Sequence, residues 1–385
     1  MIDNSLIIGI DASRNRSGGA IAHIVGIISE GNPLDHGIRE VHVWAYKALL
    51  DKLPEKPWLV KHNPPALEKS IAHQIWWQFY LLPREAKKIG CSIMFATDAS
   101  TVCRFHPMVV MSQDMLSYEP NIMKLFGFTK KLFRLLSILL IQNRAFRFAN
   151  GVIFLTKHAA KIIQQSCGNL KHIAYIPHGI GHDFKNIQKS RKWLNSKLEP
   201  IKCIYVSNAA MYKHQWVVVR AIAALRKRGY NINLTLVGGG TGRAQKLLIK
   251  QMVASDPQGI FIQQMDFIPQ QELPVLLAES DIFLFASSCE NLPVTLLEAM
   301  AVGLPIACSN RGPMPEVLAD GGVYFDPEDN KSIADAVELL IKDDSLREKI
   351  AKQAKTLSQQ YSWSRCADET WAFIKETHVK YHALK

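Results

Sequence analysis

Glu290 and Glu298 sit in the stretch "CENLPVTLLEAMAVGLPIAC", residues 289–308, with seven residues between them. The apolar run "DIFLFASS" before them reads as a buried strand, and "VTLLEAMAVG" reads as a helix with Pro293 at its opening and Gly303 as its stop. In open α/β sheets, ligands lie beyond the carboxyl ends of the strands. The "CENLP" loop falls at such an end. The amides of Leu292, Val294 and Thr295, beside Asn291 and Pro293, would be left unpaired there, and a helix N-terminus favours a diphosphate. Glu290 would reach a polar group beside the phosphate. Glu298, about one turn into the helix, would accept hydrogen bonds from ribose hydroxyls. Hexose hydroxyls, diphosphate and ribose together are what a sugar nucleotide presents. By spacing alone the pair also fits a helix cap and a solvated glutamate.

The elements that must hold this loop form two alternating series. "SLIIGIDAS", "NRSGGAIAHIVGIIS" and "REVHVWAY" read as strand, glycine turn with helix, and strand. Further short strands are "CSIMFAT", "PMVVMSQD", "GVIFLT" and "HIAYIPHG", with helical stretches such as "WWQFYLLPREAKKIG" and "KHAAKIIQQSCG" between them. The polar, basic segment 185–200 carries no strand signal and reads as a linker. A second alternation starts at "IKCIYVSN" and runs through "INLTLVGGG", "IFIQQMDF", "DIFLFAS", "PIACS" and "GGVYFD" to closing helices. Alternating strands and helices imply parallel sheets. The expected fold is therefore α/β, with two doubly wound Rossmann-like domains facing across a cleft. They span 1–184 and 201–360, and a C-terminal helix over 361–385 packs back on the first domain.

The 385 residues suit two domains better than one, and 48% hydrophobic with 21% charged residues is a globular composition. Seven cysteines include no CxxC pair, which reads as thiols in a reducing compartment and argues against a zinc site. "LIIGI" is too short for a signal peptide, and no uncharged stretch is long enough to span a membrane, so a cytoplasmic protein is expected. A net charge of +12 admits nucleic acid, an anionic membrane or an acidic small molecule. No nucleic-acid motif accompanies it.

At the glutamate pair and the following "AMAVGLPIACSNRGPMPEVL", the chain resembles the retaining glycosyltransferases of family 4, of GT-B fold. The likeness extends to "IIGIDASRNRSGGAIAHIV", "IPHGIGHDF" and "GGVYFDPED". It implies transfer of a sugar from a nucleoside-diphosphate sugar to a hydroxyl of a saccharide or lipid-linked saccharide, with no cofactor and no bound metal. It further implies donor contacts from Gly18, Gly19, Ser207, Asn208, Lys213, Asn291, Leu292, Pro293, Val294, Thr295 and Glu298, and catalytic roles for Glu290, Lys213 and Asp114. Lys213 matches the family lysine, whereas Asn208 stands where many members carry arginine. Gln113 stands in place of a histidine before Asp114. These two, with His178, are the residues expected at the acceptor.

No aspartate or glutamate occurs from Pro120 to His182, while nine lysines and arginines do. Its centre, "KKLFRLLSILLIQNRAFRF", interleaves basic with large apolar residues, as membrane-surface helices do. Residues 124–147 are therefore expected to dock the first domain on an anionic membrane, at the inner face of the cytoplasmic membrane. The competing readings are a core helix with a solvated edge for this segment, and a sugar-nucleotide epimerase, hydrolase or silent donor-binding subunit for the chain.

Overall fold

The computed structural model describes residues 6–16, 18–119, 130–187 and 199–383; the side chains of Lys130 and Lys131 fall outside that description. Contacts divide the chain into two compact units, Met1–Gly179 with Tyr361–Lys385, and Ile180–Gln360. Of the segment read as a linker over 185–200, residues 188–198 lie outside the described residues.

The first unit is built on β1 (Leu6–Asp11), β2 (Ile38–Trp44), β3 (Leu59–His62), β4 (Ile93–Ala96), β5 (Met108–Met111), β6 (Gly151–Phe154) and β7 (Ile173–Tyr175). These pair in parallel in the order β3-β2-β1-β4-β5-β6-β7. β1, β4, β5 and β6 are buried along their whole length, which is why their sequences are continuous apolar runs rather than alternating ones. β3 was not expected. It is a partly exposed edge strand, and "LVKH" holds too few apolar residues to register as a strand.

The second unit holds β8 (Ile201–Val206), β9 (Ile232–Val237), β10 (Ile262–Met265), β11 (Ile282–Phe285), β12 (Ile306–Ser309) and β13 (Val323–Phe325), parallel in the order β10-β9-β8-β11-β12-β13. Two doubly wound α/β units are the fold class expected from the sequence. In each sheet the strand order reverses once, between β1 and β4 and between β8 and β11. Such switch points are where open α/β sheets leave a crevice at the carboxyl ends.

The helices that matter below are α1 (Gly18–Glu30), α2 (Lys130–Phe148), α3 (Lys157–Cys167), α4 (Gln215–Lys227), α5 (Val294–Val302), α6 (Asp344–Ser358) and α7 (Trp363–Ala383). α7 packs along α1. A Cβ on Gly26 would stand 2.3 Å from the Trp363 ring, so only glycine lets the two helices approach this closely. α5 packs on α6 and ends at Gly303, whose φ of +82° a residue with a Cβ adopts only at a cost. All seven cysteines are buried and unbridged. Among the described residues, no helix is long and apolar enough to cross a membrane.

Candidate active site

In the second unit the loops after β8 and β11 interlock. The Tyr205 hydroxyl, at the end of β8, donates to the Lys213 carbonyl at 2.7 Å. The Ser288 amide, after β11, donates to the Tyr212 carbonyl at 2.8 Å, and the Ser288 hydroxyl lies 2.9 Å from His214 Nε2. His214 holds a left-handed φ of +47° at the entry to α4. The result places the Lys213 ammonium against the Glu290 carboxylate. Lys213 is only 8% exposed, and its ammonium also lies 5.3 Å and 5.4 Å from the Tyr212 and Phe285 ring centres. A cation held this deep needs a counter-charge, and Glu290 supplies it.

α5 starts beside this pair, with Pro293 at its cap. The Thr295 hydroxyl donates to the Val206 carbonyl at 3.2 Å and ties the helix start to the end of β8. The amides of Val294 and Thr295 open the helix, where no i−4 carbonyl lies within it. Asn291, Leu292 and Pro293 are buried in the same loop. Ser207 accepts through its carbonyl from Gln215 at 2.9 Å, while Asn208 is exposed.

Glu298 is buried within α5 at 4% exposure. Gln270 donates to its Oε1 at 3.4 Å, and its Oε2 has no hydrogen-bond partner. Burial pushes its carboxyl up to about 8, partly opposed by the Gln270 hydrogen bond. An acceptor atom left unsatisfied in a buried site is unusual in a folded protein and fits a ligand that brings hydroxyl donors. The glycines of "VGGG" shape the adjoining wall. Gly238 has φ +110°, and a Cβ there would stand 2.6 Å from the Ser207 carbonyl oxygen; one on Gly240 would stand 2.7 Å from Ala209 Cβ. Gly238–Gly240 thus let the loops after β8 and β9 nest.

Gly18, Gly19, Gln113, Asp114 and His178 belong to the first unit. Gly18, at φ +47°, opens α1 beyond the carboxyl end of β1. Gln113 donates to Met111 Sδ at 3.2 Å, and Asp114 accepts from the Leu116 amide at 2.9 Å. Burial raises the Asp114 carboxyl, opposed by backbone hydrogen bonds and Arg134. Asp98, at the end of β4, accepts from the Ser100 amide at 2.6 Å. Burial raises its carboxyl too; the Ser100 hydrogen bonds oppose this, the Asp114 charge adds to it and Arg14 offsets it. Two carboxyls with a shared field therefore stand at the ends of adjacent strands. His178 is buried and stacks on His23, with ring centres 4.9 Å apart and no hydrogen-bond partner for any of the four nitrogens. Burial lowers both imidazoles, His178 to about 3, so each is neutral.

Sequence reasoning did not single out Asp98, Gln270 or His214. Each is an ordinary polar residue in a loop: Asp98 and His214 gain significance from where the sheet order reverses, and Gln270 from the contact its loop makes with Glu298 on α5. Among the described residues, no group of three or more histidine, cysteine or carboxylate side chains is placed to hold a metal.

Residues 186–357 match the family model described as glycosyl transferases group 1. The O-antigen chain mannosyltransferase B of Escherichia coli is 32% identical over 120 residues, 31% of this chain and 32% of that protein. The chain spans between about a third and a half of the length of the curated relatives it matches. A sucrose-phosphate synthase from Thermosynechococcus elongatus superposes with TM-score 0.72 at 15% identity, covering 99% of this chain and 100% of that one. Anabaena HepE, solved with UDP and glucose, superposes with TM-score 0.67 at 18% identity, covering 94% and 98%. These likenesses show the GT-B fold.

Proposed function

We propose that this chain, whose residues 186–357 match the family model of glycosyl transferases group 1, is a retaining glycosyltransferase. It moves a sugar from a nucleoside-diphosphate sugar to a hydroxyl of a saccharide or lipid-linked saccharide in bacterial polysaccharide or lipopolysaccharide assembly. The observation that carries this is the unpartnered, buried Oε2 of Glu298 beside a helix start and an ion-paired lysine. Ribose hydroxyls satisfy Glu298. The diphosphate sits on the opening amides of α5 and competes with Glu290 for Lys213. The freed Glu290 carboxylate then faces the transferred sugar, where positive charge grows as the bond to the diphosphate oxygen lengthens. One carbon–oxygen bond to the diphosphate breaks, one to the acceptor oxygen forms on the same face, and the acceptor proton passes to the departing diphosphate oxygen. Asp114 orients the acceptor hydroxyl. The name of the E. coli relative, and HepE solved with UDP and glucose, support the assignment.

The chain works at a membrane surface in this proposal. α2 turns Phe133, Leu136, Leu140 and Phe148 to solvent on one side, with Arg134, Arg144 and Arg147 exposed along the same helix. Each basic residue near an anionic leaflet adds about 1 kcal/mol. Lys124 of the same proposed segment lies outside the described residues. A thermal-shift screen of nucleotide sugars tests the donor, because ligand bound only by the folded state raises its melting temperature. No shift with any of them would remove the donor site.

A further inference from the structure

Between β3 and β4 the chain makes a short helix, Ile71–Trp76, and then a π-helical turn, Trp77–Leu81. Such turns are rare and concentrate at functional sites. This one faces two ways. Inward, Trp77 is 1% exposed and donates to Glu85 at 3.2 Å. Gln78 donates to Asp11 Oδ2 at 2.5 Å, at the carboxyl end of β1, and accepts from the Val102 amide at 3.1 Å on the loop after β4. The turn is therefore plugged into the switch point of the first sheet, at the same end as Asp98 and Asp114.

Outward, the short helix and the turn leave large apolar groups in water. Ile71 is 59% exposed, Ile75 38%, Trp76 53% and Tyr80 49%. The pairs 71/75 and 76/80 are four residues apart and so lie side by side on the helical surface. The aromatic rings continue in a row: Trp76 and Tyr80 have centroids 6.1 Å apart, and Tyr80 and Phe79 4.6 Å. The Arg104 guanidinium caps the row, 3.9 Å from the Phe79 ring centre. No carboxylate occurs between Glu68 and Glu85 in the sequence. A cation at one end of the aromatic row, with exposed Ile75 and Ile71 on the preceding helix, matches a ligand with an anionic head and a long apolar tail. Tryptophan and tyrosine are also the side chains suited to a boundary between apolar chain and water.

We propose that this ledge binds the lipid phosphate portion of the acceptor, with the phosphate on Arg104 and the hydrocarbon chain along Tyr80, Trp76, Ile75 and Ile71. The proposal rests on the lipid-linked form of the acceptor given above. It adds the surface that selects for the lipid, and it separates the lipid site from the basic face of α2.

The test uses the full chain and fluorescently tagged farnesyl monophosphate below its micelle concentration, with inorganic phosphate and untagged farnesol as competitors. Vesicle flotation with and without phosphatidylglycerol runs in parallel. Saturable binding is expected, displaced by farnesyl monophosphate, more weakly by farnesol, and not by inorganic phosphate. Changing Ile75→Ser with Trp76→Ser removes two apolar contacts and lowers affinity about 10- to 100-fold. Arg104→Gln weakens the phosphate probe and leaves farnesol competition unchanged. Phe133→Ser with Leu140→Ser on α2 lowers flotation and leaves probe binding intact. An unchanged probe affinity in the folded ledge variant overturns the proposal, as does displacement by inorganic phosphate alone. Flotation without probe binding overturns the ledge and keeps the membrane contact. Loss of both overturns both.

Discussion

Lys213, on the loop after β8, reaches Glu290, on the loop after β11, so that one ion pair bridges the two strands at which the second sheet reverses its order. Both side chains are largely buried, at 10% and 15% exposure. Removing either partner leaves the other charge poorly solvated. Lys213→Ala is expected to destabilise the fold by about 1–3 kcal/mol, less than for a fully buried pair because some exposure remains. It should also weaken nucleoside-diphosphate binding. Urea unfolding and calorimetry check the two effects separately.

Glu290→Gln keeps a side chain of the same shape and loses the charge. It should lower turnover more than nucleotide affinity, because the carboxylate acts on charge that develops in the transition state. Steady-state kinetics beside calorimetry decide the matter. Normal turnover with collapsed binding would exchange the roles of Glu290 and Glu298.

Glu298 makes a pH-dependent prediction. Unfolded, its carboxyl titrates near 4.5; folded, burial raises it to about 8. Between these values the folded chain holds a proton that the unfolded chain has released, so stability falls as pH rises across that window. Glu298→Gln should flatten the fall. Ribose hydroxyls favour the ionised form, so nucleotide binding should release a proton below about pH 8 and tighten as pH rises toward it. Calorimetry in buffers of different ionisation enthalpy measures the proton. Glu298→Ala should weaken binding about 10- to 100-fold.

Gly238→Ala would place a methyl group 2.6 Å from the Ser207 carbonyl oxygen at a φ of +110°. A loss of about 2 kcal/mol or more is expected, with weaker nucleotide binding because the loop carrying Lys213 shifts. Gly229, also at positive φ but with open space around it, is the control: alanine there should cost only the backbone strain.

Asp98 and Asp114 stand beyond the ends of β4 and β5, where the Asp114 charge adds to the burial that raises the Asp98 carboxyl. Asp114→Asn is expected to leave donor binding unchanged and to reduce transfer to acceptor. Asp114→Asn should also lower the Asp98 carboxyl, because it removes a charge that adds to the burial raising it. Titration of the Asp98 carboxyl by nuclear magnetic resonance checks this, and an unmoved titration would separate the two groups.

Much of this was legible before the fold. Buried parallel strands such as "IFLF" and "MVVM" announce themselves as apolar runs, and the strand–loop–helix around Glu290 and Glu298 follows from proline and glycine placement. What escaped depends on contacts distant in sequence. β3 is a weakly apolar edge strand defined by pairing with β2. Asp98 matters only because β4 and β5 are neighbours, and Gln270 only because its loop reaches α5. Trp76 and Trp77 are adjacent yet opposite in fate, at 53% and 1% exposure, a distinction that no composition argument draws.

The most direct test of the central claim is the anomeric configuration of the product. The chain is incubated with the nucleotide sugar that gives the largest thermal shift and with a lipid-linked saccharide acceptor, and the new linkage is read by nuclear magnetic resonance. A new glycosidic bond with the configuration of the donor sugar is predicted, abolished or strongly reduced by Glu290→Gln. An inverted linkage, or free sugar released at the same rate with and without acceptor, would contradict the account.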